Sequence, residues 1–209
     1  MKRIWYNLNM YRVIGLGNPD EEYQDTAHNI GKQVLDIFLD KNKLTFFSHY
    51  NDRKRNADLF NGEVKFKEVE LIFFNGFMNT SGDSFSGVFS KENDEEKENV
   101  IVIYDDINLP FGEIKISFDR GDGGHNGIKD IVKKLKTKKF IRVRIGVCPL
   151  DFFGNCRKPK SGPARNKYLT DKQLARKYTE KYSDYAEKFE KILDEIIKDG
   201  YSSAMNKFN

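Results

Sequence analysis

Apolar positions along the chain alternate between two rhythms. Tyr11–Leu16 is a short apolar run of β type that ends in Gly15-Leu16-Gly17-Asn18-Pro19, a turn. Ile30, Val34, Ile37 and Phe38 then recur at helical spacing, with Thr26 as the expected N-cap. Ala57–Phe60 and Glu63–Phe66 flank Asn61-Gly62, the pair most favoured at a hairpin turn, and predict two strands joined there. Glu70–Asn75 reads as a buried strand and Ser81–Ser90 as a short helix. Val100-Ile101-Val102-Ile103 is continuously apolar, which fits a central strand covered on both faces, and it is expected to stop at Asp105-Asp106.

The second half continues the alternation. Glu113–Phe118 places Ile114, Ile116 and Phe118 on one side. A Gly-rich loop, Gly121–Gly124, leads to a helix with Ile128, Ile131, Val132 and Leu135 on one stripe, and Ile141–Val147 is a further strand. Residues 149–169 hold three prolines and two glycines and read as a long surface loop. Thr170-Asp171-Lys172-Gln173 has the form of a capping box, opening a helix over 170–200 that Gly200 ends. Strands alternating with helices predict a single α/β domain over 1–209: a twisted, mostly parallel (mixed) sheet flanked by helices on both faces, closed by a C-terminal helix. Residues 1–9 precede the first strand and are expected to be an extension.

Composition narrows the class. The 209 residues suffice for one domain with a core. With 38% hydrophobic and 13% aromatic residues, wholesale disorder is excluded. No apolar run approaches the roughly 20 residues of a membrane span, so no membrane partner is expected. Cys148 and Cys156 match no metal or redox spacing and are expected to be reduced thiols in a cytoplasmic protein. The net charge of +4 permits a nucleic-acid partner without requiring one. Its placement is uneven: Lys133, Lys134, Lys136, Lys138, Lys139, Arg142 and Arg144 run without an intervening acid, while acids cluster over 92–98. The basic stretch is either a solvated face or a functional patch.

Chemistry in such a sheet belongs at the carboxyl ends of its strands. Asn18, His28, Asn79, Asp105, His125 and Asn126 fall there. Amides at such positions are costly unless partnered, so several near a His and an Asp are informative. Other site types fail. The Gly15-Leu16-Gly17 turn has Asp20 where a dinucleotide fingerprint needs Gly, and Pro19 lacks the N–H a phosphate would use. No nucleophile elbow and no ATPase-type phosphate loop is present. The three histidines have no metal-site spacing.

Five segments in order resemble the bacterial peptidyl-tRNA hydrolase family. They are Val13–Pro19 with Tyr23 and Thr26-Ala27-His28-Asn29; Phe77–Gly82; Asp105 with Leu109–Gly112; Gly123–Gly127; and Arg142–Gly146. The resemblance spans about 11–148. It implies hydrolysis of the ester between a peptide and the 3′ ribose of tRNA, without metal or cofactor. His28 would be the general base for water, Asp105 would orient it, and Asn18 would distinguish a blocked α-amine from a free one. Asn79 and Asn126 would hold the ester end and position water. Tyr23 and Phe77 would flank the 3′ end, and Arg144 with the basic stretch would meet tRNA phosphates. His125 would only support its loop, and Asp106 and Asp122 are expected to be solvated.

The chain departs from the family pattern at Asp20, at Ala27 before His28, at Phe73-Phe74-Asn75-Gly76, and at Ser117, where the family places a basic residue for which Lys115 or Arg120 could substitute. These departures bear on RNA grip. They motivate a competing reading, a catalytically silent RNA-binding relative acting as an RNA-processing cofactor. A third reading, a small-ester hydrolase independent of RNA, follows from the weak net charge. A monomer is expected.

Overall fold

The structure, a computed structural model, describes residues 10–43, 45–53, 56–76, 97–160, 162–172 and 179–209. The expected helix at Ser81–Ser90, the extension 1–9, Phe77 and Asn79 lie outside the described residues. The strands are β1 (Tyr11–Gly15), β2 (Phe46–Asp52), β3 (Ala57–Val64), β4 (Lys67–Phe74), β5 (Val100–Pro110), β6 (Ile114–Phe118) and β7 (Ile141–Cys148). They form one mixed sheet in the order β2-β3-β4-β1-β5-β7-β6. The four central strands are parallel, and antiparallel strands close both sides. The helices are α1 (Ile30–Lys41), α2 (Asn126–Leu135), α3 (Gly162–Leu169) and α4 (Tyr182–Phe208).

Side chains in the central strands sort alternately to two cores, as the two-residue period of a strand requires. Val13, Ile101, Ile103, Val143 and Ile145 pack with Val34 and Phe38 of α1 and with Phe189 and Ile192 of α4. Ile14, Val102 and Tyr104 pack beneath Ile128, Ile131 and Leu135 of α2 on the opposite face. The expected α/β domain with helices on both faces is therefore what the chain forms.

α1 approaches the sheet at backbone contact. A Cβ on Gly15 would lie 2.5 Å from the Gly31 carbonyl oxygen, and one on Gly31 would meet the Ile103 carbonyl and sit 2.9 Å from the Leu16 nitrogen. Lys32 N–H donates to Leu16 O at 3.0 Å across the same junction. This draws the start of α1, and the residues just before it, against the ends of β1 and β5.

Several elements differ from expectation. Asn61-Gly62 is not a turn: β3 runs straight through it, and the hairpin turns at Lys65-Phe66, both at positive φ (48° and 64°). Gly62 serves packing, since a Cβ there would be 2.5 Å from the Phe46 ring of β2, an edge strand the pattern did not announce. β5 continues past Asp105-Asp106 to Pro110, with a pairing shift between Asp106 and Pro110. The 149–169 stretch contains α3. Thr170 donates from Oγ1 to Asn166 O at 2.9 Å at the end of α3; the expected capping box runs on to Gln173, outside the described residues, and the long C-terminal helix is described from Tyr182. Gly200 (φ 83°) breaks that helix, and the chain resumes it to Phe208. Cys148 and Cys156 are joined as a disulfide, not free thiols, because the end of β7 and the Leu150–Cys156 bridge bring their Cα atoms to 5.7 Å. No helix among the described residues is long and apolar enough to cross a membrane.

Candidate active site

The turn after β1 is locked by one side chain. Asn29 Oδ1 accepts from Asn18 N–H at 2.8 Å, while Asn29 Nδ2 donates to Asn18 O at 3.0 Å. Asn29 is itself buried, so both of its amide groups are used where water cannot replace them. Thr26, expected to cap α1, instead donates from Oγ1 to Tyr23 O at 2.7 Å and closes the loop that carries Tyr23. A short 3₁₀ turn, Ala27–Asn29, then presents His28 immediately ahead of α1.

Asp105 lies in β5 with the same parity as Ile101 and Ile103, which pack toward α1, and its carboxylate is almost fully buried. His28 Nδ1 is 2.9 Å from Asp105 Oδ1. His125 Nε2 is 3.0 Å from the same oxygen. A carboxylate can only accept, so both imidazole nitrogens must carry the proton. His125 confirms this from its other side: it is the N-cap of α2, and its Nδ1 accepts from Ile128 N–H at 3.2 Å. Its proton is therefore on Nε2. The bonding pattern assigns His28 the Nδ1–H tautomer when neutral, leaving Nε2 with a lone pair on a side chain that keeps 16% exposure.

Electrostatics follow from this triangle. Burial disfavours the charged form of His28, but the Asp105 charge and hydrogen bond outweigh it, and the net pKa is raised above the ordinary histidine value. Burial would push Asp105 up, yet the two facing histidines and their hydrogen bonds hold its carboxyl well below the usual range. Asp105 thus stays ionised while His28 titrates. His28, Asp105 and His125 are also the one group among the described residues whose ligand atoms could surround a metal ion, all within 4.8 Å. An ion there would need lone pairs on His28 Nδ1 and His125 Nε2. Those atoms carry protons, and His125 cannot shift its proton to Nδ1 without losing Ile128 N–H.

The other expected site residues are dispersed around this centre. Asn18 is half-buried beside the β1 turn, Tyr23 is half-buried in the loop ahead of His28, and Asn126 is exposed as the first residue of α2. Arg144 does not face solvent: it is 6% exposed, and its Nη1 donates to Asp106 Oδ2 at 3.0 Å. Asp106, expected to be solvated, is buried in that pair and also accepts from Asn108 N–H at 2.8 Å. Arg142 is fully buried, stacked 4.4 Å over the Phe140 ring and donating to Gly121 O at 2.8 Å. The basic stretch therefore divides. Its two arginines turn inward from β7, while Lys133, Lys136, Lys138 and Lys139 line a surface pocket. Asp122 is half-buried and shapes the Gly-rich loop through Gly124 N–H at 2.8 Å.

Sequence reasoning missed His125 as a partner of Asp105 and Asn29 as the brace of Asn18. His125 precedes a helix with a polar side chain able to cap it, which was a legible signal for a cap. Its second bond, across 20 residues to β5, had none.

A family profile described as peptidyl-tRNA hydrolase matches residues 12–209. The chain is 38% identical over 205 residues to the peptidyl-tRNA hydrolase of Lachnoclostridium phytofermentans, covering 96% of this chain and 97% of that one. It is 36% identical over 208 residues to that of Clostridium novyi, covering 96% and 98%. The crystal structure of peptidyl-tRNA hydrolase from Acinetobacter baumannii superposes with a TM-score of 0.78 at 26% identity, covering 98% of this chain and 96% of that one. With the match running from β1 to the last residue and relatives of 36–38% identity covered almost end to end, the chain belongs to the peptidyl-tRNA hydrolase family.

Proposed function

We propose that the chain cleaves the ester joining a peptide to the 3′ ribose of tRNA, with His28 as the general base. The observation that carries this is the 2.9 Å bond from His28 Nδ1 to buried Asp105, which leaves Nε2 as the proton acceptor. A water on Nε2 loses its proton as its oxygen attacks the ester carbonyl. Asp105 stabilises the imidazolium formed and keeps the ring in the correct tautomer, as the aspartate of a serine-hydrolase triad does. The imidazolium then returns the proton to the departing ribose oxygen, giving a free carboxylic acid and free tRNA. General base catalysis of this kind contributes on the order of 10² to 10⁴ in rate.

Asn18, held by Asn29, reads whether the α-amine is blocked. Asn126 and Asn79 hold the ester end, and Tyr23 and Phe77 flank the terminal base. Lysines 133, 136, 138 and 139 take the phosphate contacts, since Arg144 is committed to Asp106. The chemistry needs neither metal nor cofactor. A substrate made on ribosomes places the enzyme in the cytoplasm, and one chain supplies every group named, so it works as a monomer.

The test is peptide release from N-acetylaminoacyl-tRNA, with free aminoacyl-tRNA as the control. Rapid release of the blocked substrate with the free-amine substrate spared is expected. Tight tRNA binding without release by folded protein would replace this reading with the silent RNA-binding relative.

A further inference from the structure

We propose that the loop closed by Cys148 and Cys156 grips single-stranded RNA, its two phenylalanines stacking on unpaired bases of the substrate's 3′ end. This rests on the RNA-ester reading above and names an element that reading does not use.

Phe152 is 97% exposed and its neighbour Phe153 is 83% exposed, among the few large apolar side chains in solvent. Their rings stand edge to face, 5.6 Å apart at 86°, and so present differently oriented flat faces outward. The loop beneath them is rigid. Independently of the disulfide, Asp151 N–H donates to Asn155 O at 2.9 Å, and Gly154 N–H to Asp151 O at 3.0 Å. Asp151 Oδ1 accepts from Phe153 N–H and Asn155 N–H, both at 2.9 Å, while its Oδ2 takes Arg157 Nε at 2.8 Å. These bonds order the loop while its two apolar rings stay outside the protein. An ordered loop that exposes aromatic area has its entropy of ordering already lost, which favours a ligand that covers the rings.

Charge and position select the ligand. Beyond Arg157, which pairs with Asp151, the chain to Thr170 carries Lys158, Lys160, Arg165 and Lys167 and no acidic residue. Aromatic faces beside cations are the combination that binds single strands: bases stack and phosphates pair, with little regard to sequence. A duplex hides its base faces and would use only the cations. An apolar peptide would use only the rings. The stalk of the loop is fastened to β5, because Lys158 Nζ donates to Asn108 Oδ1 at 2.6 Å. Asn108 Nδ2 in turn bonds Asp106 Oδ1 at 2.8 Å and Gly123 O at 3.2 Å. Those partners adjoin Asp105 in β5 and the loop that delivers His125. The rings and the catalytic groups are thereby tied to the same strand, β5.

The experiment measures fluorescence anisotropy of a labelled ribo-oligonucleotide of about eight nucleotides, within the span of such sites. A hairpin duplex of equal charge is the comparison, with wild type and the Phe152→Ala/Phe153→Ala variant. Both rings are solvent-exposed, so the variant keeps its melting temperature. Affinity for the single strand is expected to fall about 10-fold, from the stacking lost, with the duplex unchanged. Unchanged single-strand affinity, or equal loss for both RNAs, overturns the proposal. So does a KM increase confined to substrates bearing a long apolar peptide, which would assign the rings to the peptide. Turnover of N-acetylaminoacyl-tRNA by the wild type is read separately: its absence refutes the hydrolase reading, whereas turnover with unaltered binding by the variant refutes only the grip.

Discussion

His28 and His125 meet on one oxygen: both bond Asp105 Oδ1, at 2.9 and 3.0 Å. Their rings lie edge to face, with centroids 5.5 Å apart. Neither contact can be replaced by solvent, because Asp105 is 1% exposed. The carboxylate therefore divides its charge between the two histidines.

That division predicts how His125→Ala behaves. Losing the His125 donor leaves Asp105 a stronger partner for the His28 imidazolium, so the pKa of His28 rises further. The rising limb of kcat/KM, which reports neutral His28, moves to higher pH, and kcat falls at neutrality because less of His28 is neutral there. A purely structural role would lower activity equally at every pH and leave the midpoint in place. α2 also loses its cap, worth about 1 kcal/mol, which a thermal melt will register.

Asp105→Asn moves the profile the other way. Its neutral amide no longer stabilises imidazolium, so the limb shifts to lower pH. The amide can also bond the wrong tautomer, and kcat falls on the order of 10² to 10⁴ with KM little changed. The same coupling appears in stability. His28 has a raised folded pKa, so its contribution is complete below its unfolded pKa and disappears as pH rises through the folded value. Asp105 has a depressed folded pKa, so its contribution is present above its unfolded pKa and disappears as pH falls through the folded value. Urea titrations of wild type and Asp105→Asn across pH measure both limbs.

Arg144 and Asp106 test the inward turn of the basic stretch. Breaking a buried pair by removing one partner costs about 3–5 kcal/mol, so Asp106→Ala should lower the melting temperature sharply. Arg144→Met should destabilise while leaving the salt dependence of tRNA binding unchanged. Lys136→Ala should do the reverse, reducing the salt slope by about 1 with stability intact. A slope change on Arg144→Met would return that residue to the RNA interface.

Gly31→Ala tests the junction that positions His28. The added methyl meets the Ile103 carbonyl and the Leu16 nitrogen, both backbone, so neither can yield by rotating a side chain. A cost of about 1–3 kcal/mol is expected, together with lower kcat from a displaced 3₁₀ turn. A crystal structure showing His28 unmoved beside Asp105 would refute the link.

The sheet was legible where burial alone decides: the apolar run at 100–103 and the stripe on α2 both stand as read. It was illegible where local preference and packing disagree. Asn61-Gly62 carries the strongest turn preference in the chain, yet the Phe46 ring needs the space above Gly62, and the turn passes to Lys65-Phe66. Arg142 and Arg144 read as surface charge because composition cannot show a buried carbonyl or carboxylate waiting for them. Cys148 and Cys156 matched no functional spacing; their pairing comes from the bridge that folds 149–156 back on β7. The pairing of His28 with Asp105 was anticipated from order and residue type, whereas the contacts of His125 and Asn29 arise only in the folded chain.

The most direct measurement is single-turnover release of N-acetylamino acid from tRNA by wild type and His28→Ala at matched pH. The account predicts release by wild type and a loss of at least about 10²-fold in His28→Ala with tRNA affinity retained. Release by His28→Ala at the wild-type rate would contradict it and remove the His28–Asp105 pair from the chemistry.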